Sequence, residues 1–324
     1  MSDVILFDRD QVDQLDGLSA RPKRLKGSTL LWVDVDRASE ESAREVAEAF
    51  GLDSSTRDRL ASSSPGHAVF ADHGRYIHIT AYAPCGEAAE EEEEELVALE
   101  CVVGENWVVT AHDRPVPVLD EFAERVSGSG HTGDLDGPSF LAALLEWVLG
   151  AYSAAFEGIE ERLEEFEVRA MRGDANAEED IERLIAIRQE VGVLRRALAH
   201  HRSALVALTY PELEALGDHH SGERFQVLLR RFESTIQEAR DAREAVVGSF
   251  DVLIARTGQR TNEIMKVLTL ASVILLPGAL VAGVLGMNFK VGLFETSWLF
   301  YVVVALIVAV APLVILVAKR RDWI

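Results

Sequence analysis

Two long apolar runs near the C-terminus limit what this chain can become. Residues 267–289 read VLTLASVILLPGALVAGVLGMNF, and residues 298–318 read WLFYVVVALIVAVAPLVILVA. Neither contains Asp, Glu, Lys, Arg or His. Each exceeds the ~20 residues that cross a bilayer as a helix. Only Lys290–Ser297 separates them, so the expectation is a hairpin of two transmembrane helices. Arg256, Arg260 and Lys266 precede the first run, and Lys319, Arg320 and Arg321 follow the second. Positive flanks stay inside, which predicts a multi-pass protein of the cytoplasmic (inner) membrane with both termini cytoplasmic and loop 290–297 outside. Trp298, Tyr301 and Trp323 fit interfacial belts.

The rest of the chain is long enough for one large or two ordinary soluble domains. Net charge is −22 over 324 residues. Phosphate would be repelled by such a surface, so nucleic acid is not an expected partner. A field of one sign concentrates counter-ions, here cations, although solubility alone also accounts for it. Cys85 and Cys101 lack CxxC spacing and suggest neither a zinc knuckle nor a redox pair. MSDVILFDRD has no basic segment followed by an apolar stretch, hence no secretory signal is expected.

Residues 1–127 read as an α/β cytosolic domain. TLLWVDVD (29–36) has the composition of a buried strand, and SEESAREVAEAFGL (39–52) that of a helix with Ser39 as N-cap. HAVFADHGRYIHITAYAP (67–84) reads as a hairpin turning at Asp72-His73-Gly74. VALECVVGENWVVTAHD (97–113) reads as another, turning at Gly104-Glu105-Asn106. Glu90–Glu95 between them reads as a self-repelling, solvated loop, with a metal-collecting run as the alternative. A Gly/Ser-rich linker, 128–138, follows. Residues 139–266 are helical. One long helix is expected over 140–171 and a second over 178–209, the latter with Ile181, Leu184, Ile185, Ile187, Val191 and Leu194 in helical register. RGDANA (172–177) is the turn between them. Pro211 and Gly217 break the pattern. A third helix from about Gly222 shows no breaker before Pro277. Continuous to Phe289, it would be about 100 Å long and would form a stalk entering the bilayer.

Two spans cannot enclose an aqueous path, so a pore requires several subunits. Ala279, Ala282, Gly283 and Gly286 allow close helix approach in the first span, and Pro277 would kink it. Asn288 closes the span, and an Asn at membrane depth is costly without partners. A ring of Asn288 carboxamides suits a hydrated Mg²⁺, which dehydrates reluctantly.

Gly286-Met287-Asn288 is the GMN signature of the CorA superfamily of metal ion transporters. TNEIMKVLTLASVILLPGALVAGVLGMNF (261–289) resembles the pore helix of its magnesium channels throughout. LLWVDV, VVGENWVVTAHD and the basic KRRDWI terminus are also similar. The resemblance implies an α+β cytosolic domain, long stalk helices and two C-terminal transmembrane helices, assembled as a homopentameric funnel with a central pore. It implies transport of Mg²⁺ and Co²⁺ as cargo, without a bound cofactor, in contact with membrane lipid. It assigns Gly286, Met287 and Asn288 to the entrance filter, with Asn288 facing the hydrated ion. Asn262 falls at the cytosolic mouth, Met265 and Leu268 at the hydrophobic gate, Leu276 and Ala279 in the mid-pore, and Asp251 one layer below Asn262. The spacing 262, 265, 268, 272, 276, 279 averages near 3.5 residues, one helix face.

Some positions depart from that pattern. Ala279 stands where the family often has Thr. The loop KVGLFETS replaces an acidic one, and Val227–Arg230 lacks the stalk carboxylate of a regulatory metal site. The zinc branch, represented by ZntB, shares GMN and the hairpin. His200-His201 and His219-His220 are candidate zinc ligands there, though solvated helix ends are the simpler expectation. No GxxxxGK[ST] appears, so ATP drive is not expected. His112 and Asp113 share a strand end without nucleophile–base spacing, so the chain does not read as an enzyme. The remaining alternative is a non-conducting, membrane-anchored sensor or scaffold.

Overall fold

A computed structural model describes residues 2–8, 11–22, 25, 29–36, 40–61, 70–84, 96–128, 136–172, 177–210, 213, 220–287 and 297–320. Asn288, His219, Ser39, Cys85, Pro211, Gly217, Arg321, Trp323, the Glu90–Glu95 run, most of the 128–138 linker, the core of the RGDANA turn and nearly all of loop 290–297 lie outside the described residues. The fold is an α+β domain with long helices and two C-terminal apolar helices.

Contacts divide the chain into two units. The first comprises Met1–Arg169 and Glu178–Ser249. Its strands are β1 (Ser2–Asp8), β2 (Gln11–Leu15), β3 (Leu30–Asp36), β4 (Phe70–Asp72), β5 (Ile77–Pro84), β6 (Leu96–Val103) and β7 (Trp107–His112). They form one sheet in the order β2-β1-β3-β7-β6-β5-β4. Only β3 and β7 are parallel, with Asp34 opposite Thr110 and Asp36 opposite His112. Side chains alternate across a strand, so β3 serves two cores. Leu31, Val33 and Val35 join Val102, Val109 and Ala111 beneath α1 (Glu40–Phe50) and α2 (Ser54–Leu60). On the opposite face Trp32 lies 5.2 Å from the Phe140 ring and 6.1 Å, edge-on, from Phe122. Phe122 belongs to α3 (Pro117–Gly128) and Phe140 to α4 (Gly137–Arg172).

Both expected hairpins form. At the first turn Gly74 adopts φ +72°, and its N–H donates to Asp72 Oδ1 at 2.8 Å. At the second, Gly104 packs so close to Trp107 that an added Cβ would lie 2.3 Å from its ring. The long helix α4 starts at Gly137, two residues before Ser139, inside the expected linker. Asp136 is the reason: its Oδ1 accepts the Ser139 N–H at 2.8 Å, an N-cap with Pro138 in the first turn. The Gly137 N–H also donates to the Glu105 carbonyl at 2.7 Å, tying the helix start to the β6–β7 turn. The β1–β2 hairpin, α2 and α3 were not anticipated from the sequence.

Helix α5 spans Ala177–Leu208 and packs Leu184, Ile187, Val191 and Leu194 inward, while Ile181 and Ile185 stay exposed. Arg162 of α4 forks onto Glu190 of α5, at 2.7 and 2.6 Å to the two carboxylate oxygens. Helix α6 runs unbroken over Gly222 to Gly286, starting at His220 and passing through Pro277.

The second unit comprises Ala170–Ala177 and Phe250–Ile324. It holds the later part of α6 and α7 (Ser297–Arg320). Among the described residues, three helices are long and apolar enough to cross a membrane. The most apolar stretch of α4 is 56% buried within the protein, against 6% for α6 and for α7. Helix α4 is therefore a core helix, whereas the most apolar stretches of α6 and α7 expose their side chains. In this unit Arg256 donates through Nε to the Ala170 carbonyl at 2.9 Å and through Nη2 to the Met171 carbonyl. It caps the last turn of α4, where unpaired carbonyls carry partial negative charge.

Candidate functional site

The sequence-derived pore residues from Asp251 to Gly286 lie on α6, and their placement follows from helix geometry. At 100° per residue, Asp251, Asn262, Met265, Leu268, Leu276, Ala279 and Gly286 fall within an arc of about 120°. All are exposed within the chain. Helix α7 packs elsewhere. A Cβ added to Gly278 would lie 3.1 Å from Ile307 Cγ2, and Leu270, Ile274, Gly278 and Val281, four of the five residues described as half-buried between Val267 and Met287, mark the contact side, Ser272 being the fifth. That side is centred roughly 170° from Met265. On α7 the matching half-buried positions are Val303, Ile307, Val310 and Val314, spaced as one helical face. The second span thus leaves the arc uncovered.

An open groove that begins on this face and continues around the helix beside it is lined by Ala255, Gly258, Gln259, Asn262, Glu263, Met265, Lys266 and Thr269. Gln259 Nε2 donates to Glu263 Oε1 at 3.4 Å. The only polar side chains between Val267 and Met287 are Thr269 and Ser272. Their hydroxyls donate to the carbonyls four residues back, Met265 at 2.7 Å and Leu268 at 2.9 Å. Helix α6 ends at Gly286, where the Met287 N–H donates to the Val284 carbonyl at 3.3 Å. Met287 is exposed, and Asn288 lies outside the described residues.

Among the described residues no group of three or more His, Cys, Asp and Glu could hold a metal. His201 is no solvated helix-end ligand. It is buried, and its Nε2 accepts the Tyr82 N–H at 2.8 Å. Burial pushes its pKa down to about 4, the neighbouring Ala197 and Leu198 carbonyls opposing and His200 adding slightly to the shift. Those carbonyls fall short of bonding to Nδ1, which has no hydrogen-bond partner. Tyr152 completes the clasp by donating its hydroxyl to the Tyr82 carbonyl at 2.9 Å. Sequence reasoning missed this pair because the partners are far apart in the chain.

His112 is structural: Nε2 lies 3.0 Å from Asp34 Oδ2, and Nδ1 lies 2.7 Å from the Arg114 carbonyl. A second buried pair joins His78 Nε2 to Glu100 Oε2 at 2.8 Å, with Thr80 donating to the same oxygen at 2.7 Å. Cys101 is a buried free thiol whose pKa is raised by burial and by the Glu100 and Asp34 carboxylates. It is inert under ordinary conditions.

The cobalt/magnesium transport protein CorA of Methanocaldococcus jannaschii is 23% identical over 298 residues, spanning 91% of this chain and 92% of that one. The cobalt/magnesium transport protein CorA of Thermotoga maritima is 25% identical over 237 residues. That match spans 72% of this chain and 65% of the relative, just under two thirds of its length. The zinc transport protein ZntB of Cronobacter sakazakii is 23% identical over 272 residues, spanning 79% and 76%. Among solved structures, the complete CorA magnesium transporter from Methanocaldococcus jannaschii superposes with a TM-score of 0.80 at 21% identity, covering 99% of this chain and 98% of that one. The family described as CorA-like Mg²⁺ transporter protein matches residues 27–320, and the chain belongs to that family.

Proposed function

We propose that this chain is one subunit of a homopentameric channel that carries Mg²⁺, and also Co²⁺, passively down the membrane potential. The supporting observation is the uncovered arc of α6. It carries the expected pore residues from Asp251 to Gly286 and faces away from α7. A second copy, and then a ring of copies, would close that face around a lumen. In this reading residues 1–127, linker 128–138 and helices 139–266 are cytosolic. Residues 267–289 and 298–318 span the membrane, 290–297 is the external loop, and 319–324 is a basic cytosolic tail. Gly286, Met287 and Asn288 form the entrance, Leu276 and Ala279 line the middle, and Met265 and Leu268 close the gate by narrowness and dewetting. Asn262 and Asp251 follow on the cytosolic side.

A divalent ion gains about 4.6 kcal/mol per 100 mV, twice the value for one charge. No Asp, Glu or His lies within either span to relay protons, which favours passive flow over proton coupling. The zinc alternative draws on the similarity to ZntB and on Lys290, a cation two residues after the motif.

Proteoliposome uptake of Mg²⁺, Co²⁺ and Zn²⁺, with and without a pH gradient, tests the proposal. Voltage-dependent Mg²⁺ or Co²⁺ flux that is lost in Asn288→Ala is the expected result. Zn²⁺ flux that requires a proton gradient would move the protein to the zinc branch. No flux from well-folded oligomers would leave a sensor or scaffold.

A further inference from the structure

The geometry points to Ser272 as a lumen-facing hydrogen-bond acceptor that relays the hydrated cation between the Met265/Leu268 gate and the Gly286-Met287-Asn288 entrance. This rests on the pore proposed above and adds a residue to it.

Ser272 is itself half-buried, its short side chain folded back on the helix, and lies near the centre of the uncovered arc, within about 20° of Met265 on one side and of Ala279 on the other. The side packed by α7, marked by Gly278 against Ile307, is roughly 120° away from it. Along the helix axis Ser272 stands about 10 Å from Met265 and about 21 Å from Gly286. The other residues of the arc in that interval are Leu276, Ala279 and Gly283, none with a side-chain hydrogen-bonding group. Thr269, the other hydroxyl, sits on the Asn262 side of the arc, about 60° from Ser272.

The hydroxyl is held in a definite role. It donates its proton to the Leu268 carbonyl at 2.9 Å, so its oxygen lone pairs are what it presents outward. Waters around a divalent cation point their hydrogens away from the ion, and their natural partner is an acceptor. Each subunit would supply one such acceptor at the same height. A neutral hydroxyl ring stabilises the passing hydrated ion without the tight binding of carboxylates.

Mg²⁺ influx into proteoliposomes, measured with full-length protein, tests the assignment. Ser272→Ala is expected to lower flux about five-fold, the value of one ordinary hydrogen bond, while Ser272→Thr, which keeps the hydroxyl, retains it. Replacing Cys85 and Cys101 by Ala provides a background for single-cysteine variants. There, a cationic methanethiosulfonate is expected to abolish flux through Ser272→Cys and to leave Ala271→Cys conducting, since Ala271 lies about 100° around the helix. Wild-type flux in Ser272→Ala together with no block of Ser272→Cys would overturn the assignment. If Asn288→Ala still lost flux in that case, the pore itself would stand. Equal losses in the Thr and Ala variants would reassign the effect to packing and also overturn it. A wild-type protein that conducts nothing would remove the pore and this residue's role together.

Discussion

Acid should loosen the clasp on β5, and its sign and size follow from His201. Strand β4 pairs with β5 only as far as Ile79. Beyond it, the outward-facing N–H and C=O of Tyr82 are bound instead by His201 of α5 and Tyr152 of α4. The bond to Tyr82 requires a lone pair on Nε2, so protonation destroys it. An unfolded histidine titrates near pH 6.5, whereas burial lowers the folded value to about 4. Between these values the unfolded state binds more protons, so stability rises with pH. The contribution is complete above pH 6.5 and is lost as the pH falls toward 4. A gap of about 2.5 units corresponds to roughly 3 kcal/mol. Amide exchange at Tyr82, measured on the detergent-solubilised chain and corrected for intrinsic rates, reads this directly. The opening free energy should fall by about 3 kcal/mol over that window, and the fall should be absent in His201→Gln, whose amide oxygen accepts at any pH. Matching pH profiles for the two proteins would refute the reasoning.

Other expectations are local. Gly137→Ala places a Cβ 2.1 Å from the Gly104 carbonyl oxygen, so the β6–β7 turn must shift and thermal unfolding should show a loss of about 1–3 kcal/mol. Glu100→Ala strands the buried His78 ring and Thr80 hydroxyl and should cost about 3 kcal/mol or more in denaturant titration; Glu100→Gln, which keeps an acceptor, should cost less. Arg256→Ala uncovers the Ala170 and Met171 carbonyls, and exchange in the last turn of α4 should accelerate by about ten-fold, equivalent to the 1–2 kcal/mol of a charged cap. Cys101 should resist alkylation in the native protein, since its thiol is buried and held protonated.

The parts of this fold legible in the sequence are those whose pattern is local. LLWVDVD announced a strand because both of its faces are buried, leaving a run of apolar and β-branched residues. The hairpins showed through Asp72-His73-Gly74 and Gly104, where the backbone needs glycine or a very close approach. The apolar runs within α6 and α7 were plain from length and the absence of charge. Strand β2, QVDQL, was invisible because none of its residues is fully buried, so it carries no apolar alternation. The start of α4 was hidden in a Gly-rich stretch, although Asp136-Gly137-Pro138-Ser139 contains a cap and a first-turn proline. His201 illustrates the other limit. Its neighbours on α5 read as a helix end, and nothing near it in sequence reveals Tyr82. The arc on α6 was readable as a spacing. Which side α7 covers was not, because that depends on Gly278 meeting Ile307 across the hairpin.

The clasp on Tyr82 also sets a timetable for synthesis. Strands β5, β6 and β7 are adjacent in sequence and can pair as soon as they leave the ribosome. The residue that seals their exposed margin, His201, is 119 positions downstream of Tyr82. At ~5–20 residues per second, that margin stays bare for roughly 6–24 s. Unpaired strand margins invite foreign strands, so a nascent chain at this stage is a natural client for a chaperone, and slow codons between α4 and α5 would lengthen its exposure.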